Sequence, residues 1–235
     1  GPLATASNCV VAFNRVKGNG GGVAGGVLWN CTVADNVASN GGGTYESDLA
    51  DCTVARNRVS YNGGGAYGGY LVGCVVTGNY ANGEGGGVWR GTCSNSVLAG
   101  NEAPSHGGGA FDSTLDNCTV TGNVSGNGGG GVRLGIARGC QIAGNEGRYG
   151  GGASIVALSD CAVSSNSAMH GGGAYLSRLT NCTVAANRAG QGGGIWNCTS
   201  DWSRIEGNVA EEYGGGMLAG RMRDCEIWGN RSLEY

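Results

Sequence analysis

The sequence predicts an all-β fold, a single-stranded, right-handed parallel β-helix (a solenoid) of eleven rungs, each 21 or 22 residues long. Three observations predict it: a repeat at that spacing, a period-two alternation of small apolar residues within the repeat, and 52 glycines without the three-residue period of collagen. Hydrophobic residues make up 40% of the 235 residues, which favours a packed array over a disordered chain.

The repeat is marked first by an asparagine that recurs in all eleven rungs, at Asn14, Asn36, Asn57, Asn79, Asn101, Asn123, Asn145, Asn166, Asn187, Asn208 and Asn230. A cysteine stands five residues before it in nine rungs, at Cys9, Cys31, Cys52, Cys74, Cys118, Cys140, Cys161, Cys182 and Cys225. The other two rungs have serine there, at Ser96 and Ser203. Most rungs then contain a glycine triplet, as at residues 85–87. Self-similarity at so short a period is typical of a solenoid.

Each rung is expected to contain three short strands. Cys52 and Val54 alternate with the residues between and after them, which is the period of a strand. A second strand follows the glycine triplet, at residues 66–67 in that rung, and a third surrounds Leu49. The repeat is too short for modules built from helix pairs, and it lacks the leucine-rich signature. Three strands per rung close a β-helix.

Stacking explains which residues point inward. Neighbouring rungs lie about 4.8 Å apart, so each inward side chain faces its own copy. We expect the asparagines to form an asparagine ladder, in which amide hydrogen bonds satisfy buried groups that would otherwise cost about 1 to 3 kcal/mol each. The cysteines are interpreted as a cysteine ladder of small buried thiols that pack like valine. Disulfides between rungs would be strained, and a metal column is the least favoured alternative because the spacing does not match a zinc site.

Two short motifs carry a resemblance to a known family. The Gly-Gly-Gly-Val motif at residues 85–88 and the Val-x-x-Asn motif at residues 54–57 resemble the repeats of chlamydial polymorphic outer-membrane proteins and of related bacterial surface proteins. One departure is that valine, with a cysteine two residues earlier, stands where that family usually has phenylalanine. The resemblance extends over essentially the whole chain. It implies a secreted or surface-exposed passenger with an adhesive or structural role.

Catalytic chemistry has little support in the sequence. Acidic residues cluster near the end of the chain, at Asp201, Glu206, Glu211, Glu212, Asp224 and Glu226, among Arg204, Arg221 and Arg223. We interpret them as a solvated face, with Arg204 and Glu226 forming an ion pair between rungs. The two histidines, His106 and His170, are expected three rungs apart, roughly 14 Å. The sequence therefore predicts no catalytic residues, no metal site and no cofactor.

A column of aromatic residues is the best candidate for a binding surface. These residues follow the glycine triplets at equivalent, outward positions, at Tyr45, Tyr67, Trp89, Phe111, Tyr175 and Trp196. The same position is assigned to Val132, Ser154 and Leu218 in other rungs. Stacked rings about 4.8 Å apart would make an exposed apolar ridge. Its two interpretations are a glycan- or protein-binding surface and mutual support of the sheet by aromatic pairs.

Charge and length limit the remaining possibilities. A net charge of −3 with no basic run argues against nucleic acid, and no segment has the about 18 to 20 apolar residues of a membrane span. Residues 1–235 are expected to form one solenoid domain, either a fragment of a longer chain or a unit that assembles end to end through its rung ends into filaments. The leading prediction is a non-catalytic, extracellular or cell-surface bacterial scaffold or adhesin. The alternative is a polysaccharide-active β-helix enzyme, a lyase or a glycoside hydrolase.

Overall fold

The computed structural model describes residues 4–234, which form an all-β parallel solenoid of about 10 turns without a helix. Three parallel sheets of fifteen, eleven and ten strands run along it. The predicted fold class and the three strands per rung are therefore confirmed, while right-handedness and the exact number of eleven rungs stay predictions.

The first sheet contains the strands that lie between a glycine triplet and the next cysteine position. They are Ala4–Ser7, Val23–Trp29, Thr44–Ala50, Ala66–Tyr67, Tyr70–Val72, Val88–Trp89, Thr92–Ser94, Ala110–Asp116, Val132–Arg138, Ala153–Ser154, Ala157–Ser159, Ala174–Tyr175, Arg178–Thr180, Ile195–Asp201 and Met217–Arg223. The second sheet contains the strands that follow the cysteine positions, Val10–Ala12, Thr32–Ala34, Thr53–Ala55, Val75–Thr77, Val97–Ala99, Thr119–Thr121, Gln141–Ala143, Ala162–Ser164, Thr183–Ala185, Arg204–Glu206 and Glu226–Trp228. The third sheet contains the strands that follow the asparagines, Val37–Ala38, Arg58–Val59, Tyr80–Ala81, Glu102–Ala103, Val124–Ser125, Glu146–Tyr149, Ser167–His170, Arg188–Gln191, Val209–Ala210 and Arg231–Ser232.

The core is built from columns of equivalent side chains. Val54 pairs in register with Val33 on one side and Val76 on the other, and all three are fully buried. A second column consists mainly of leucines, and Cys93 lies between Leu71 and Leu115 there. Because the strands of neighbouring rungs are in register, each core position repeats the same packing along the solenoid.

The asparagine side chains are hydrogen-bonded from rung to rung. Asn101 is buried; its Nδ2 donates to Asn123 Oδ1 at 3.0 Å and to the Val76 carbonyl at 2.9 Å. Its Oδ1 accepts from both the backbone N–H and the Nδ2 of Asn79, each at 3.0 Å. The same side-chain bond joins every successive pair from Asn14 to Asn230.

The cysteines are unbridged thiols, and most of them are buried. Cys140 Sγ donates to the Arg138 carbonyl at 3.2 Å and accepts the backbone N–H of Cys118 at 3.4 Å. Ser96, which stands at a cysteine position, makes the same two hydrogen bonds: its Oγ donates to the Ser94 carbonyl at 2.8 Å and accepts the backbone N–H of Cys74 at 3.0 Å. Burial raises the pKa of Cys93 to about 12, so this thiol stays protonated.

The glycine triplets lie where rungs approach each other closely. Gly85 has a φ of +64°, in the left-handed region that favours glycine. A Cβ on Gly86 would clash with the carbonyl of Glu102 in the next rung and would lie 2.6 Å from the carbonyl of Gly108. This turn is therefore formed by backbone alone, with the partly exposed Glu84 before it and the fully buried Val88 after it.

Candidate functional site

The six predicted aromatic residues share one column of the first sheet. Tyr45, Tyr67, Trp89 and Phe111 pair in register in consecutive rungs, and Tyr175 pairs with Trp196 after two intervening rungs. Ring centroids lie 4.6 Å apart between Tyr45 and Tyr67 and 4.2 Å apart between Tyr67 and Trp89. We call this set, with the residues that continue its register, the aromatic column.

The aromatic column is less exposed than the sequence predicts. Trp89 and Phe111 are each only 8% exposed, and the other four rings are partly buried. The prediction of an exposed ridge is therefore wrong for its two middle members. The cause is a cover of outer side chains: Glu84 Oε2 accepts a hydrogen bond from Trp89 Nε1 at 3.3 Å, and the Arg90 guanidinium lies 4.3 Å from the same ring.

One member of the predicted column was also assigned wrongly. The structure pairs Arg133, not Val132, with Phe111, while Val132 pairs with the inward Ala110 and is fully buried. Four consecutive glycines, residues 128–131, precede this strand in place of the usual three, which shifts the apparent position by one residue.

A second column, which the sequence analysis missed, lies beside the aromatic column. Its members each precede a glycine triplet and pair in register as Glu84, His106, Gly128, Tyr149, His170 and Gln191. We call it the flanking column. The two histidines are three rungs apart, as predicted. The glycine turn folds the chain back, so residues five positions apart become neighbours, as in His106 and Phe111, whose ring centroids lie 6.3 Å apart. Rings of adjacent rungs also meet: those of His170 and Trp196 lie 4.2 Å apart, and those of Tyr149 and Tyr175 lie 5.2 Å apart.

Both columns are interrupted in the middle of the solenoid. Arg133 and Ser154 stand in the aromatic column between Phe111 and Tyr175, and Gly128 stands in the flanking column. A pocket of about 470 Å³ opens there, within the range of small-ligand sites. Its lining consists of His106, Asn127, Arg133, Tyr149, Ile155, Tyr175 and Leu176. We call it the central pocket.

The central pocket contains a partly desolvated cation. Burial lowers the pKa of Arg133, which stays charged in spite of this, and its Nη1 donates to Ser154 Oγ at 3.3 Å. Burial and the charge of Arg133 also lower the pKa of His106. The His106 Nδ1 lies 3.0 Å from Ser105 Oγ and 3.6 Å from Glu84 Oε1. At neutral pH the pocket therefore presents a guanidinium beside a neutral imidazole.

The acidic cluster near the end of the chain is distributed among ion pairs. Arg204 lies 2.7 Å from Glu206 and 3.8 Å from Glu226, which confirms the predicted pair between rungs. Arg223 lies 3.2 Å from Asp201 and 3.9 Å from Asp224. Glu211 and Glu212 contact side chains of the preceding rung, Arg188 at 3.1 Å and Gln191, respectively. Each of these carboxylates thus has a polar or cationic neighbour on the outer surface.

Two further features of the described residues bear on location and metal binding. Between residues 4 and 234, no helix has the length and apolar character needed to cross a membrane. The same residues contain no group of three or more His, Cys, Asp or Glu side chains arranged to hold a metal ion.

Comparison with known proteins identifies the family. No curated protein matches the chain. The family model described as periplasmic copper-binding protein (NosD) matches residues 73–231, which include the central pocket and the residues that surround it. Because this match covers more than half of the chain, the protein belongs to the NosD family of periplasmic β-helix proteins.

Proposed function

We propose that the protein is a non-catalytic scaffold of the bacterial cell envelope that binds glycans along its aromatic and flanking columns. The observation that carries the proposal is the in-register column of aromatic rings that is interrupted by a pocket with polar side chains. Aromatic rings accept the C–H faces of sugar rings, and a few convergent polar groups fix their orientation. The periplasmic family supports an envelope location.

The partial burial of the rings determines how a glycan would bind. Trp89 and Phe111 lie under the flanking column and stabilise the sheet, so they correspond to the interpretation of mutual support. Tyr175 is partly exposed and lines the central pocket. Tyr45 and Tyr67 are also partly exposed and stack in parallel. The proposed binding surface therefore uses the tyrosines more than the two middle rings.

The test is a screen of immobilised glycans followed by calorimetry with the best binder. Tyr175→Ala should weaken binding by about fivefold or more, which corresponds to about 1 kcal/mol for one aromatic contact. Tyr70→Ala is the matched control, because Tyr70 is 62% exposed and lies outside the central pocket. The proposal fails if no glycan class binds, or if both variants bind like the unmodified protein.

An enzyme is the second candidate function. A β-helix lyase or hydrolase requires carboxylates that converge on a groove together with a basic residue. The only candidates in the sequence are the terminal carboxylates, and the structure places them beside arginines such as Arg204 and Arg223. Incubation with acidic polysaccharides and Ca²⁺, followed by detection of unsaturated ends and new reducing ends, tests this alternative. Reproducible cleavage by the purified protein would replace the scaffold proposal.

Copper binding, which the family name describes, does not fit the described residues. Copper prefers thiolate, thioether and imidazole ligands. Here the histidines are three rungs apart, and the buried thiols donate hydrogen bonds to backbone carbonyls, as in Cys140 and Cys161. We therefore assign no copper chemistry to this part of the chain.

Adhesion, assembly and similarity to the chlamydial repeats stay predictions. End-to-end assembly through the rung ends is a proposal that light scattering on the native protein over a range of concentrations can test. A mass that stays at 23.4 kDa at all concentrations would refute it for the chain studied.

A further inference from the structure

We infer that the central pocket is a subsite for an acidic sugar, with the anionic group held by Arg133 and the sugar ring packed beside Tyr149 and Tyr175. The inference rests on the proposed function and deepens it, because it names the chemical class of the glycan. The shared chemistry is a sugar ring that carries a carboxylate or a sulfate.

Arg133 has the unused hydrogen-bonding capacity that an anion requires. Its guanidinium carries five N–H donors, and the bond from Nη1 to Ser154 Oγ at 3.3 Å occupies one of them. Among residues 4–234, no carboxylate lies within 4.0 Å of it, whereas Arg56, Arg90 and Arg138 each have an aspartate at 2.7, 2.8 and 3.2 Å. A partly buried guanidinium without a carboxylate partner gains more from an arriving anion than an exposed one.

Small residues create the space that Arg133 occupies. Gly128 is the one member of the flanking column, from Glu84 to Gln191, that has no side chain. A Cβ at Gly128 would clash with Arg133 Nη1, so the missing side chain lets the guanidinium lie across both columns. Ser154, a small residue between Arg133 and Tyr175 in the aromatic column, leaves room beside the arginine.

The walls of the pocket fit a sugar ring better than a free inorganic anion. Tyr149 and Tyr175 form one wall, with centroids 5.2 Å apart and planes inclined at 50°. Ile155 and Leu176 are 39% and 41% exposed at the rim and give it an apolar surface. Asn127 adds an amide that can bond to hydroxyl groups. This combination of apolar rim, aromatic wall and polar groups is amphipathic, as a sugar is.

Selectivity for acidic glycans would have to come from this pocket and not from the overall charge. The chain has a net charge of −3, which repels polyanions at long range. The carboxylate that most affects the pocket, that of Glu84, is already engaged by Trp89 and His106. A preference for an acidic over a neutral glycan would therefore report on Arg133.

The experiment compares ligands that differ in charge and variants that differ in one cation. Hexagalacturonate, its fully methyl-esterified form and a sulfated galactan oligosaccharide of the same length are titrated calorimetrically into the full chain. The unmodified protein should bind at least one acid about tenfold or more tightly than the ester, as one charged hydrogen bond permits. Arg133→Gln should abolish that preference and leave the affinity for the ester unchanged.

Two further variants separate the pocket from general charge effects. Arg178→Gln removes the same charge from an exposed position of the first sheet outside the pocket, and it should keep the preference. Gly128→Ala keeps Arg133 but displaces its head group, and it should lose most of the preference while circular dichroism stays unchanged. The acid whose affinity falls in both Arg133→Gln and Gly128→Ala is the ligand class.

The outcomes distinguish this inference from the proposed function. If the unmodified protein binds the acids and the ester equally, glycan binding stands and the acidic subsite is refuted. The subsite is equally refuted if Arg133→Gln keeps the preference, or if Arg178→Gln loses as much of it. If none of the oligosaccharides and no glycan in the screen binds, the proposed function fails and the subsite with it.

Discussion

Removing one asparagine from the middle of the column should destabilise the solenoid far more than removing the exposed first one. In Asn101→Ala, the backbone N–H and the Nδ2 of Asn79 lose the acceptor that each contacts at 3.0 Å. Asn79 and Asn101 are both buried, so water cannot replace the lost acceptor without opening the rung. Each unsatisfied buried donor costs about 1 to 3 kcal/mol, which gives about 2 to 6 kcal/mol for the two.

Asn14→Ala is the matched control. Asn14 is exposed, and the bond that its side chain makes is the donation from Nδ2 to Asn36 Oδ1 at 2.9 Å. Its loss should cost less than about 1 kcal/mol because Asn36 Oδ1 keeps the backbone N–H of Asn14 as a donor at 2.9 Å. The comparison therefore tests the buried acceptor and not the substitution of asparagine by alanine as such.

Urea unfolding followed by circular dichroism measures both variants, and hydrogen exchange at the Asn79 amide reports on the affected rung. A solenoid can unfold in segments, so the exchange measurement is needed where the transition is not two-state. Equal losses of stability in the two variants, within about 0.5 kcal/mol, would refute the reasoning. Unchanged protection of the Asn79 amide in Asn101→Ala would refute it too.

Three further predictions follow from the turns, the thiols and the flanking column. Gly86→Ala should lower the free energy of unfolding in urea by about 1 to 3 kcal/mol, because the added Cβ clashes with the next rung. Gly18→Ala should be neutral, because a Cβ there would have no atom within 4 Å, and equal effects of the two substitutions would contradict this prediction. A thiol reagent should modify Cys9 and Cys225 in the folded protein and all eleven cysteines after denaturation, and rapid modification of more in the folded state would show that the column is open. Desolvation lowers the pKa of the partly buried His170 from 6.5, so the unfolded chain takes up the proton first as the pH falls. Stability should be complete above pH 6.5 and fall below it, less steeply in His170→Gln; an identical pH profile would count against a neutral imidazole in the folded protein.

Much of the fold follows directly from the sequence, because stacking in register places similar residue types at equivalent inward positions of successive rungs. Val54 must face Val33 and Val76, so the same residue type recurs at a fixed spacing and reveals both strand and direction. Cys93 lies at the same spacing as the leucines on either side of it, so its inward position follows for the same reason. Inward positions are therefore predictable from one repeat to the next.

The outer surface was less predictable because its residues vary between rungs. The column from Glu84 through His106 to His170 contains unlike residues, and its proximity to the aromatic rings depends on how the glycine turn folds back. The available signal was position alone: each member directly precedes a glycine triplet. The exposure of Trp89 could not be judged without that neighbouring column, since Glu84 covers it from across the turn.

The fixed hydrogen bonding of the inner columns has a consequence for how such a chain can change. A deletion of a few residues would interrupt every column at once, whereas the loss or duplication of a whole rung would leave each inner side chain facing its usual partner. Apart from single residues in the turns, where rungs of 21 and 22 residues coexist, length can therefore vary in whole rungs. The outer residues are free of this constraint and can be exchanged one rung at a time. The backbone then sets the spacing of the ligand contacts, and single substitutions set their chemistry, as at Arg133.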